Sequence, residues 1–279
     1  MSYKTIAVHL NDEKRASPLL AAAVGLARRF DAHLIGVHVS PALSYVPPLP
    51  GASGLLQEIR RTEKEICERI GAAFQSATAD MRAMAEIRFI DPPARLTPSE
   101  VILPQVRTAD LVIASQTDPT WEATSALDLP ERLAIESGRP VLMIPNSWSP
   151  ALIGDSIVIA WNGKREAARA VFDAIPLLKT ARSVVILRLE QLRGRGDRTD
   201  LPDVEIAATL ARHGVKVEVD SASASEHDVG REIVARTKSA GADLAVMGAY
   251  GHSRFREFVF GGATQHVARH MHVPTLFSH

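Results

Sequence analysis

Four glycines near the carboxyl end have the spacing of a phosphate cradle. The segment 248–264 reads GAYGHSRFREFVFGGAT; two residues separate Gly248 from Gly251, nine separate Gly251 from Gly261, and Gly262 follows at once. Without a Cβ, glycine lets backbone N–H groups approach phosphate oxygens and adopts positive φ at no steric cost. The elements needed to position such a loop are also present. An apolar run at 244–247 reads as a strand entering the loop, and Val267, Ala268 and Met271 recur at helical spacing beyond it. The first turn of that helix, with Gly262, Ala263 and Thr264, would present unpaired N–H groups and the positive end of the helix dipole to an anion. The same glycines also suit a tight turn followed by a helix cap.

Other residues with chemical potential are less organised. Arg254 lies inside the glycine segment and Arg256 two residues on, so at most one of the two would face a phosphate. Lys164 and Arg165 open a helix near the same expected crevice. His266 and His270 stand four apart, with His272 and His279 nearby, but no HExxH pattern accompanies them, and they read as surface histidines with no metal. Ser115 and Ser253 lack the GxSxG setting of a hydrolase nucleophile, so no catalytic residue is assigned. The absence of GxGxxG and of a P-loop lysine argues against a dinucleotide dehydrogenase and a P-loop ATPase.

Composition narrows the class further. The 279 residues are 46% hydrophobic, enough for a sizeable core or for two ordinary domains. Lys+Arg and Asp+Glu both number 32, so there is no net field to draw in a nucleic acid. The single cysteine, Cys67, forbids an intramolecular disulfide and a Cys-rich zinc site and suits a reducing cytoplasm. The apolar stretch 19–27 is too short to span a bilayer, and residues 3–10 read as a strand rather than a leader, so a soluble cytoplasmic protein with no membrane contact is expected.

An internal repeat accounts for the length. Ala109-Asp110-Leu111-Val112-Ile113-Ala114 reads against Ala242-Asp243-Leu244-Ala245-Val246-Met247, and Gly138-Arg139-Pro140-Val141-Leu142 against His272-Val273-Pro274-Thr275-Leu276. Ile6-Ala7-Val8-His9-Leu10-Asn11 reads against Ile157-Val158-Ile159-Ala160-Trp161-Asn162. The landmarks keep their order, so two domains are expected, 1–146 and 152–279, joined by Pro145-Asn146-Ser147-Trp148-Ser149-Pro150. In each, β-branched runs alternate with helical patterns, which calls for parallel strands with crossover helices. Strands are expected at 5–10, 34–39, 85–90, 111–114 and 141–144, then at 156–160, 183–189, 216–219, 244–247 and 275–277. Surface loops are expected at 41–54 and 193–201. A long helix over 55–81 carries Leu56, Ile59, Ile66, Ile70 and Phe74 on one stripe, which should pack on its own sheet rather than on a heptad partner.

With these residues in place the chain resembles the universal stress protein family, tandem two-domain type. Its nucleotide-binding members show Gly, two residues, Gly, nine residues, then Gly followed by Ser or Thr. Gly248, Gly251 and Gly261 match, whereas Gly262 stands where the family has the hydroxyl residue. The resemblance implies two tandem doubly wound five-stranded parallel sheets, Rossmann-like and adenine nucleotide alpha hydrolase-like, with strand order 3-2-1-4-5. Ligands of open α/β sheets bind where the winding reverses, at the carboxyl ends of strands one and four. By the same resemblance Asn162, in place of the family's base-contacting Asp, would meet the base, Leu189 and Met247 would line it, and the glycine loop with Arg254 would hold phosphates. ATP or a related adenine nucleotide, with magnesium accompanying ATP, is the implied ligand. The first half lacks the motif: Ser115 and Asp118, with Pro119 next, replace the first glycines, and Leu127 and Asp128 the last two, Asp128 reading as a helix N-cap. The resemblance also implies an internal pseudo-dimer through the fifth strands, homodimerisation, and sensing or binding with at most slow ATP hydrolysis. With Asp228 and Glu257 the sole acidic metal ligands in view and no positioned base for water, fast catalysis is not expected. Gly262, Asn162 and the altered first half leave a second reading open, a stress-induced scaffold that binds protein partners and no nucleotide.

Overall fold

A computed structural model describes residues 2–10, 12–40, 52–81, 84–93, 96–117, 129–191, 203–225, 228–249 and 262–279. The chain forms two compact units, Tyr3–Arg139 and one built on Pro140–His279.

In the first unit β1 (Thr5–His9), α1 (Glu13–Phe30), β2 (His33–Val39), α2 (Ala52–Ala77), β3 (Ala85–Ile90), α3 (Pro98–Val106), β4 (Leu111–Ser115) and α4 (Leu129–Glu136) alternate. The strand order is β3-β2-β1-β4, and the pairs are parallel. β1 and β4 are buried almost throughout, as expected for parallel strands covered on both faces, and this explains their unbroken apolar sequence. α1 starts at Asp12, whose side chain accepts from the Lys14 N–H, and stops where Asp31 turns left-handed at φ 51°. Its buried stripe includes Leu19, Leu20, Ala23, Leu26 and Phe30. α2 seats Ile70 and Phe74 in the core of its own unit. Gly36 of β2 makes room for that helix, since a Cβ there would lie 2.8 Å from the Phe74 ring.

The second unit begins with β5 (Val141–Ile144) and continues through β6 (Ser156–Trp161), α5 (Arg165–Asp173), α6 (Ile175–Leu178), β7 (Ser183–Gln191), α7 (Asp203–Arg212), β8 (Glu218–Ala224), α8 (Val229–Ser239), β9 (Leu244–Gly248), α9 (Gly262–His270) and β10 (Thr275–Ser278). Its order is β8-β7-β6-β9-β10-β5, so β8-β7-β6-β9-β10 realises 3-2-1-4-5 in full. β5 lies antiparallel to β10, with Leu142 opposite Leu276. That pairing satisfies backbone groups an edge strand would otherwise leave open.

The repeated Ala-Asp-Leu landmark has a structural cause. Asp110 accepts from the N–H groups of Lys4 and Thr5 at 2.7 and 3.0 Å, and Asp243 accepts from those of Gly154, Asp155 and Ser156. In each unit this carboxylate ties the start of the fourth strand to the start of the first, setting their parallel register.

Most strands end within two residues of the sequence reading, and two elements differ more. The third strand of the second unit runs Glu218–Ala224 rather than 216–219, and the helix expected over 55–81 begins at Ala52 and ends at Ala77. β8 is an edge strand with Val219 48% exposed, so its polar Ser-Ala-Ser-Ala sequence lacks the apolar run that marks buried strands. The expected loop at 193–201, and most of that at 41–54, lie outside the described residues.

Candidate functional site

The crevice builds up from the carboxyl ends of β6 and β9. These strands are parallel neighbours, with Ala160 opposite Met247, and β7 flanks β6 on its other side. The winding reverses between β6 and β9, so Asn162 and Gly248, far apart in sequence, emerge beside each other. Asn162 is exposed, and its Oδ1 accepts from the Lys164 N–H at 3.0 Å. The turn is completed by Gly163 at φ 70°, a conformation that costs a Cβ-bearing residue energy. This Asx turn delivers the chain into α5, whose N-cap, Lys164, makes no side-chain cap.

Gly248 has a cause the sequence did not reveal. A Cβ there would sit 2.5 Å from both the Ala167 amide nitrogen and the Glu166 carbonyl carbon. The first turn of α5 is packed directly on the end of β9, and glycine is what permits that contact. Beyond it, the Ala249 N–H donates to Ser278 O at 2.7 Å and His279 Nδ1 donates to Ala249 O at 2.9 Å, fixing the exit of β9 to the end of β10.

Glu166 is the buried ionisable group of this corner, 5% exposed and ion-paired with Arg165. Burial pushes its carboxyl up, but the Arg165 guanidinium, its own backbone N–H and the charge of His279 together hold it below the ordinary carboxylate range. Sequence inspection missed Glu166, because a Glu in a first helical turn looks like an ordinary exposed dipole partner.

α9 begins at Gly262, which is exposed and has open space where a Cβ would project. Ala263 is half-buried and Thr264 is 5% exposed. The helix is held by close approach to α8: a Cβ on Gly230 would lie 2.7 Å from His266 Cβ and 2.8 Å from Ala263 O. Met247 is 5% exposed between Ala160 and Phe277 in the sheet, and Leu189 is half-buried on β7. Gly251, Arg254 and Gly261 lie outside the described residues, as do Arg256, Ser253 and Glu257 and, in the first half, Asp118, Pro119, Leu127 and Asp128.

The histidines of α9 do not assemble as ligands. His266 and His270 stack with ring centroids 4.2 Å apart, and burial together with the neighbouring charges of His270 and Arg231 lowers the pKa of His266. The group with metal-holding geometry among the described residues is elsewhere, His38 with Glu63 and Cys67 in the first unit. Reading ligand spacing along single helices could not find it, because its members come from β2 and α2.

A parallel sheet wound 3-2-1-4-5, its winding reversing between β6 and β9, defines a Rossmann-like α/β protein. Residues 155–279 match the sequence profile of the Universal stress protein family. The whole chain is similar in fold to a universal stress protein from Archaeoglobus fulgidus DSM 4304, with a TM-score of 0.72 at 16% identity over 98% of this chain and 95% of the other. It is similar also to a functionally unknown protein from Pseudomonas aeruginosa PAO1, with a TM-score of 0.59 at 13% identity over 99% of this chain and 92% of that one. No curated protein sequence matches the chain significantly. Among the described residues no helix is long and apolar enough to cross a membrane.

Proposed function

We propose that this is a tandem universal stress protein whose carboxyl-terminal domain, 152–279, binds ATP or a related adenine nucleotide, and whose amino-terminal domain, 1–146, serves structure and protein contacts in the cytoplasm. The observation that carries the reading is the convergence of the Asn162–Gly163 turn and the Gly248 strand end at the switch point between β6 and β9. The base would lie toward Asn162, Leu189 and Met247. The phosphates would meet Gly251, Arg254, Gly261 and the first turn of α9, and magnesium would accompany ATP. Such a site senses or binds. On this reading any hydrolysis is slow, and release of bound ligand reports occupancy rather than turnover. The same reading includes an internal pseudo-dimer through the fifth strands, with further self-association through a second copy left to solution measurement.

A second reading, a scaffold that binds partners and no nucleotide, is favoured by one observation: packing against α5 is by itself sufficient reason for glycine at 248. Mass spectrometry of small molecules released from the purified, denatured protein separates the two. An adenine nucleotide near one per chain supports the first reading, and its absence, with no binding of added ATP, supports the scaffold.

A further inference from the structure

The first unit contains a buried donor cluster that the nucleotide reading does not use. His38, at the carboxyl end of β2, is 2% exposed, and both of its ring nitrogens face oxygen acceptors. Nδ1 lies 2.6 Å from the Leu10 carbonyl oxygen and Nε2 lies 3.0 Å from Glu63 Oε1. A carbonyl only accepts, so the proton on Nδ1 is assigned by geometry. Nε2 then faces a carboxylate oxygen, an arrangement satisfied in two ways: by a second ring proton donated to Glu63, or by a lone pair on a cation that Glu63 also binds.

Cys67 favours the cation. It lies four residues after Glu63 on α2, hence on the same helix face, with Sγ 3.8 Å from the same Oε1. The three donor atoms lie within 4.8 Å of one another. Tetrahedral zinc bonds of about 2.0–2.3 Å place ligand atoms roughly 3.3–3.6 Å apart, so closing on an ion moves Glu63 Oε1 relative to His38 Nε2 and Cys67 Sγ by a few tenths of an ångström and draws the imidazole and thiol together by up to about an ångström. Exchanging the Nε2 and thiol protons for one divalent cation leaves the charge of the cluster unchanged. The second shell is also built. The Leu10 carbonyl fixes the histidine tautomer that leaves Nε2 for the ion, and Ser40 hydrogen-bonds to the Glu63 carboxylate. The donor set of imidazole, carboxylate and thiolate suits zinc rather than magnesium or calcium.

We propose that His38 Nε2, Glu63 Oε1 and Cys67 Sγ form a zinc(II) site in the first unit, with a fourth position for water or an exogenous ligand. The first half of the chain, which lacks the glycine motif, would thus hold a different kind of ligand.

The test uses the full chain stripped of metal with a chelator and titrated with cobalt(II), then zinc(II). Cys67 is the sole cysteine, so a thiolate-to-cobalt charge-transfer band identifies this site and no other. The expected result is a band that saturates at one cobalt per chain, with visible absorption of tetrahedral intensity, and that zinc abolishes. Cys67→Ser removes the band, and Glu63→Gln weakens zinc binding at least roughly tenfold while the metal-free circular dichroism is unchanged. If saturating cobalt gives no thiolate band, or zinc affinity is the same in Cys67→Ser as in the native chain, the cluster is a hydrogen-bonded His–Glu–Cys chain and the site does not exist. Cobalt absorption without sulfur character, from histidines such as His266 and His270, would likewise overturn the proposal.

Discussion

In the first unit β4 ends at Ser115, which is 2% exposed and whose hydroxyl accepts from Arg15 Nε at 3.1 Å; in the second, β9 ends at Gly248, and the backbone of Glu166 and Ala167 occupies the space a side chain would take. Arg15 follows Asn11 by the same four residues that separate Glu166 from Asn162. Both units therefore seat the first turn of the helix after strand one on the end of strand four. The first does so by a side-chain hydrogen bond, the second by backbone contact. The contrast continues one helix later. Thr117 Oγ1 donates to Glu131 Oε2 at 3.0 Å, so the first turn of α4 already has a carboxylate of its own at the helix end that attracts anions, whereas the first turn of α9 begins with Gly262 and open space. A phosphate approaching α4 would meet negative charge. The same fold thus closes the end of strand four with a side chain in one unit and with helix backbone in the other, and the helix that follows carries an acidic residue in its first turn in the first unit and none in the second.

The largest effect expected from breaking this difference is at Gly251. Gly251→Val should abolish ATP binding in a chain that remains folded by circular dichroism, because a β-branched side chain blocks backbone N–H donors and disfavours positive φ. Calorimetry on the native chain should give one nucleotide per chain; two equivalent sites would erase the asymmetry, and unchanged affinity in folded Gly251→Val would move the ligand elsewhere. Next is Gly262→Ser, which restores the family's hydroxyl at a position with nothing within 4 Å of an added Cβ. A hydrogen bond to a charged phosphate contributes about 1.5–3 kcal/mol, or roughly tenfold or more in affinity. A fall in affinity would show that the first turn of α9 is not where the phosphates sit.

Gly248→Ala sharpens the comparison through stability. The added methyl meets backbone atoms that cannot rotate away, so overpacking should cost about 1–3 kcal/mol in chemical denaturation. Ser115→Ala in the first unit removes a hydrogen bond without a clash and should cost only about 0.5–1.5 kcal/mol. Equal losses would mean that Gly248 is not under steric demand. The smallest effect concerns Glu166, whose folded pKa lies below its unfolded value. Its ionised form therefore adds stability above the ordinary carboxylate pKa, and this contribution fades as pH falls through the folded value. Glu166→Gln should be less stable than the native chain at neutral pH, with the difference shrinking in acid; a constant difference would locate its role in packing.

Much of the fold was legible because parallel strands buried on both faces must be apolar without interruption, as in β1, β4, β6 and β9, and because Asp110 and Asp243 repeat a local backbone interaction that leaves the same residue in each copy. β8 was misplaced for the converse reason. An exposed edge strand is held by its ladder to β7 rather than by an apolar face, and ladder bonds leave no sequence signature.

By itself, the sequence determined the class of fold, the repeat and the half of the chain with a glycine motif, since those depend on local backbone preference and on the periodicity of burial. The tertiary structure alone decided which glycine answers to packing, that β5 runs antiparallel against β10, that Glu166 is buried beneath the crevice, and that His38 meets Glu63 and Cys67. These depend on contacts between residues distant along the chain. The spacing of residue types carries no record of such contacts, because the distance between two side chains there is set by how helices lie on the sheet.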